Sequence, residues 1–138
     1  MSFSYDGRNI PLPGGCIPPG KYLLRIIDTE EKLSGKGYNQ VVVGFKVMEG
    51  PYAGREIKFH LVTFIPKGSD GRPQAGAGFA IHFLKCIGQP WEDDFEVNHL
   101  RWRGCRVKAD VIEDTYNGKT NNKIAWVEAV TDKEEIPF

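Results

Sequence analysis

Apolar and polar positions alternate with a period of two along most of this chain, the signature of half-buried strands. From Lys21 onward, Tyr22, Leu24 and Ile26 fall on one side and Lys21, Leu23 and Arg25 on the other. Gln40 to Met48 alternates most cleanly: Val41, Val43, Phe45 and Val47 share a face, with Val42, Gly44 and Lys46 behind it. In Glu56 to Phe64, Ile57, Phe59 and Leu61 alternate with Lys58, His60 and Val62. Cys105 to Thr115 carries Val107, Ala109 and Val111 on one face, and Lys123 to Val130 forms the last run. There Ile124 and Trp126 share a side, and core packing is expected for Trp126.

Turn-forming residues separate the runs: Ser34 to Asn39, Gly50 to Gly54, and Tyr116 to Asn122 with its Asn-Gly hairpin signal. Ala75 to Ile87 breaks the period. Its spacing is helical, with Phe79, Phe83, Cys86 and Ile87 on one stripe, and Gly88 and Pro90 stop it. Three strands, a helix and two strands is the order of an OB-fold, a five-stranded Greek-key barrel. The expected fold is thus mostly β, an OB-type barrel with one α-helix between its third and fourth strands. It occupies residues 21–130, after an irregular Gly- and Pro-rich arm at 1–20 and before a flexible acidic tip at 131–138.

Composition adds limits. The 138 residues suit one domain, and 41% hydrophobic with 26% charged residues is ordinary for a soluble protein. No apolar run is long enough for a membrane span, and Met-Ser-Phe-Ser-Tyr-Asp does not open a signal peptide. Cys16, Cys86 and Cys105 are odd in number and far apart, so they read as reduced thiols of a cytoplasmic protein. The net charge is zero but uneven. Residues 131–138 hold three acids and one lysine, leaving 17 basic and 15 acidic residues elsewhere, a balance of +2. Glu92, Asp93, Asp94 and Glu96 concentrate four of those acids, so the remaining surface leans basic.

The segment TDKEEIPF, Thr131 to Phe138, resembles the acidic tip of bacterial single-stranded-DNA-binding proteins. The resemblance implies a partner-binding role for Asp132, Glu134, Glu135, Ile136, Pro137 and Phe138 toward replication, recombination and repair proteins. The body is similar to a family of small phage single-stranded-DNA-binding proteins at Pro18-Pro19-Gly20-Lys21-Tyr22, at Glu49-Gly50-Pro51-Tyr52-Ala53-Gly54-Arg55 and at Tyr116-Asn117-Gly118-Lys119. The body does not resemble the bacterial proteins, so their tetramer and long linker are not carried over.

Single-strand binding needs cations for phosphates and flat side chains for bases. The outward positions of the first three strands offer Arg25, Lys46, Lys58 and His60, and the neighbouring turns offer Lys36, Tyr38, Tyr52 and Arg55. Tyr116, Lys119 and Lys123 lie on or beside the last hairpin, where an OB-fold closes its binding face. A second basic group, Arg101, Arg103, Arg106 and Lys108, either extends the DNA path or pairs with the acids Glu92 to Glu96, and pairing is the favoured expectation. Trp91 and Trp102 are expected to cover the helix. His60, His82 and His99 lie apart, and Gly76-Ala77-Gly78 lacks a phosphate-binding lysine, so neither an enzyme nor a cofactor or metal is expected.

The sequence therefore predicts a protein that binds single-stranded DNA with little sequence preference, in a way compatible with self-association. A protein-interaction module that mimics the host tip is the alternative, and an RNA-binding OB domain is another. If the acidic tip folds over the basic face, deleting residues 131–138 tightens oligo-dT binding at low salt in a fluorescence titration. Unchanged affinity would remove that self-competition.

Overall fold

Val41, Val43, Phe45 and Val47 are all buried, and the sheet is built around them. A computed structural model describes residues 2–8 and 16–130, with the side chain of Tyr116 outside the described set. Among the described residues, the strands are β1 (Gly20–Leu33), β2 (Asn39–Val47), β3 (Glu56–Phe64), β4 (Arg106–Tyr116) and β5 (Lys119–Ala129). The helix α1 (Gly78–Ile87) lies between β3 and β4, followed by a 3₁₀ turn at His99–Trp102. The strands form one antiparallel sheet in the order β3-β2-β1-β4-β5. The sheet is not hydrogen-bonded into a closed barrel; β3 and β5 are its edges, and they approach each other beside α1.

The turns behave as their residues dictate. Asn117 and Gly118 both adopt positive φ, 51° and 77°, as a two-residue hairpin turn requires, so β5 begins at Lys119, earlier than the alternation predicts. Ser34 Oγ accepts hydrogen bonds from the backbone of Lys36 and Tyr38, closing the β1–β2 turn. Gly88, at φ 72°, caps α1 and donates to the carbonyls of Leu84 and Lys85. The arm is anchored where it meets the sheet: Asn122 accepts from the Ile17 N–H and donates to the Ile17 carbonyl, both at 2.9 Å, and Ile17 is buried.

Irregularities in pairing shift the side-chain phase in three strands. β1 slips between Ile26 and Asp28, so burial passes from Leu24 and Ile26 to Thr29. Buried Thr29 is satisfied by His99 and Arg103. In β3, Lys58 and Phe59 together oppose Gly44 of β2. In β5, Ala125 is the extra residue, so Ile124 and Val127 are the buried pair. This corrects the expectation for Trp126, which is 42% exposed. A single unpaired residue inverts every following side chain.

The helix buries Ala80, Phe83, Leu84 and Ile87, while Phe79 is 68% exposed rather than on the buried stripe. Trp102 covers α1 as expected: it is 1% exposed, with its ring 5.5 Å from Phe83 and 6.3 Å from Phe64. Trp91 lies over the same helix, its ring 4.0 Å from Lys85 Nζ. Replacing Trp102 by Ala should lower the unfolding free energy by about 3–5 kcal/mol in urea denaturation. A loss below about 1 kcal/mol would contradict its role as the link between helix and sheet.

Candidate nucleic-acid interface

Antiparallel pairing aligns three cations on the solvent side of the sheet. Arg25 of β1 stands opposite Lys46 of β2 on one side and Arg106 of β4 on the other. Neighbouring strands lie about 4.8 Å apart, so the row Lys46–Arg25–Arg106 holds like charges side by side. Such pairs destabilise a sheet. Arg25 and Lys46 are exposed and Arg106 half-buried, and the Arg25 guanidinium lies beside Gly104. Glu56 continues the row beyond Lys46, so it ends in one acid.

The remaining predicted residues are less concentrated than the alternation suggests. Lys58 is exposed on β3, two residues along the strand from Glu56 in the row. Lys36 is exposed and Tyr38 half-buried in the β1–β2 turn, separated from the row by Asp28, Glu30 and Glu31 on the second half of β1. Lys119 and Lys123 are exposed on β5 at the other end of β1, beyond Gly20 and its partner Val111. Arg55 and Tyr52 are half-buried in the β2–β3 turn, and the Tyr52 ring packs edge-on against Tyr22 at 6.4 Å. Tyr52 is thus a packed turn aromatic. The side chain of Tyr116 and the tip residues Asp132, Glu134, Glu135, Ile136, Pro137 and Phe138 lie outside the described residues.

His60 faces the core, not the solvent. The bulge at Lys58–Phe59 reverses the phase of β3, and the imidazole sits 5.7 Å from the rings of both Phe45 and Phe83. Burial there disfavours the imidazolium and pulls its pKa to about 4. The same inversion turns Phe59 outward, 80% exposed, with Leu61 half-exposed beyond it. Sequence reasoning missed Phe59; its only signal was Gly44 inside the neighbouring strand, since an interior glycine often marks a bulge. Arg103 also departs from expectation: it pairs with Asp28 at 3.7 Å and donates to the Thr29 carbonyl, rather than reaching the acids at 92–96.

Two concave features lie elsewhere on the molecule. A groove of about 560 Å³ opens over Val41, Phe64, Phe95 and Val97, with Glu31 and Lys32 at its rim. One charge of each sign gives it no preference for an anion. A small cleft lies between β3, α1 and β5, beside Leu61, Phe79 and Trp126. There His82 stacks on Trp126 at 4.2 Å and donates from Nε2 to the Val127 carbonyl at 2.8 Å. Burial pushes the Cys86 and Cys105 thiols up, away from thiolate. Among the described residues, no group of three or more His, Cys, Asp or Glu could hold a metal, and no helix is long and apolar enough to cross a membrane.

The chain belongs to a protein family, DUF669, described as of unknown function, which matches residues 3–135. No curated protein matches it.

The inward His60 gives a stability test. The unfolded chain protonates near the usual 6.5 and the folded one only near 4, so this group's contribution is complete above 6.5 and declines as pH falls toward 4. The difference corresponds to about 3 kcal/mol. Urea denaturation of wild type against His60→Phe across pH 4–7 should show the wild type losing that much more stability on acidification. Parallel curves would contradict the inward imidazole.

Proposed function

We propose that this protein binds single-stranded DNA with little sequence preference, using the outer face of β1, β2 and β4 as a track for phosphates. The observation that carries this reading is the row Lys46–Arg25–Arg106. Arg25 and Lys46 stand opposite each other as like charges, which costs the isolated fold energy, and a polyanion lying across the strands removes that cost by neutralising them. Lys58 flanks the row, and Lys119 and Lys123 extend cationic surface past the start of β1.

The architecture supports the reading. The order β3-β2-β1-β4-β5, with the helix between β3 and β4, is that of an OB barrel opened between its third and fifth strands. OB folds bind oligonucleotides on the face around strands two and three, bounded by the first and last hairpins. In this reading the protein coats exposed strands during phage DNA replication or recombination, in line with the sequence resemblance of its body. Recruitment of partner proteins through residues 132–138 rests on the resemblance of those residues alone.

The direct test is titration with labelled oligo-dT over a range of salt. Wild type should bind with an affinity that falls as salt rises. Arg25→Ala with Lys46→Ala should lower the slope of log K against log salt by about 1.4, from about 0.7 per lost phosphate contact on single strands. Salt-insensitive binding, or none, would reject the reading in favour of a protein-interaction module. Stronger competition by oligo-U than by oligo-dT would move the ligand to RNA.

A further inference from the structure

We propose that Phe59 is the principal base-stacking residue of this face. The inference rests on the reading of the row as a track for single-stranded DNA, and names the group that holds the bases there. Phe59 is a bulky residue with φ 67°, in a region such side chains rarely occupy. Its ring is 80% exposed, in mid-strand and not at a loop tip. A left-handed backbone and an exposed ring both raise the energy of the folded chain, and no ring–ring contact with a described residue offsets them. Strain of this kind persists at ligand-binding positions because surrounding structure enforces it.

The surroundings fit a base over the ring. Phe59 and Lys58 oppose Gly44, so no side chain rises from β2 at that point. A Cβ placed on Gly44 would meet only Asp28, at 3.5 Å, within a 4 Å radius. Asp28 is the nearest acid there, and Arg103 approaches it at 3.7 Å, reducing its repulsion of a phosphate. Lys46 lies two residues along β2 from Gly44, opposite Arg25, and Lys58 adjoins Phe59 directly. Both cations lie on the Glu56 side of the ring, while Glu30 stands opposite Val42 on the other side, so a base stacked on Phe59 has its phosphate held by charge toward Lys58 and Lys46. Stacking requires no hydrogen-bond readout, which agrees with binding of little sequence preference.

The test is oligo-dT affinity by fluorescence anisotropy for the full chain and for Phe59→Ala, Phe59→Tyr and Phe59→Gly. Phe59→Ala should bind about tenfold more weakly with its salt slope unchanged, within the range for one stacked base. Phe59→Tyr should stay within about twofold of wild type. Phe59→Gly should match the affinity loss of alanine while melting no lower than wild type, because glycine accepts positive φ without strain. That pairing separates lost stacking from lost folding. Wild-type affinity in Phe59→Ala overturns the inference while leaving the DNA reading intact, as does a loss accompanied by a reduced salt slope. A sedimentation shift in Phe59→Ala at unchanged affinity would make the ring a contact between copies and also overturn it. Absence of salt-dependent binding in wild type would defeat the underlying reading first.

Discussion

The pairing of two residues, Lys58 and Phe59, against the single residue Gly44 decides which side of β3 meets the solvent. Before the bulge, Ile57 is buried; after it, the inward positions are half-buried His60 and buried Val62. Without the extra residue, Phe59 and Leu61 would fill the core and His60 would stand among the cations. The bulge therefore sets the packing around Phe45 and Phe83 and the chemistry of the outer face together. A phenylalanine at positive φ costs energy of order 1–3 kcal/mol, which the rest of the sheet must hold in place.

What holds it is a core shared by the sheet and one helix. Phe83 of α1 contacts Phe45, His60 and Trp102, so helix, sheet and 3₁₀ turn meet at one ring. Each large apolar side chain buried there contributes about 1.5–3 kcal/mol. Thr29, His99 and Arg103 tie the 3₁₀ turn to β1 with hydrogen bonds that leave no buried side-chain polar atom unsatisfied among the described residues. Arg103 is thereby held beside Asp28, which reduces the acidity of the outer face next to Gly44. The core and the charge pattern of the surface are built from the same contacts.

Much of the fold was legible in the sequence, because alternation reports burial wherever pairing stays regular. The β2 and β4 faces, the helix with its Gly88 stop, and the Asn117–Gly118 hairpin follow directly from spacing and turn chemistry. The failures fall at the bulges, where period-two reasoning loses its phase: Phe59 and His60 exchange roles in β3, and Trp126 turns outward after Ala125. The candidate site was legible in part. Arg25, Lys46 and Lys58 are on the outer face as their spacing implies, but their alignment with Arg106 depends on strand register, which involves residues far apart in the chain. The acids Asp28, Glu30 and Glu56 on the same face went uncounted because alternation alone does not bring neighbouring strands together.

The central claim is that nucleic acid lies across the strands over this row. The measurement that tests it most directly is a map of backbone amide shifts in ¹⁵N-labelled protein as oligo-dT is added. The account predicts the largest changes at Arg25, Gly44, Lys46, Phe59 and Arg106, on four adjacent strands. Changes confined to the groove over Phe64 and Phe95, or no changes at all, would contradict it.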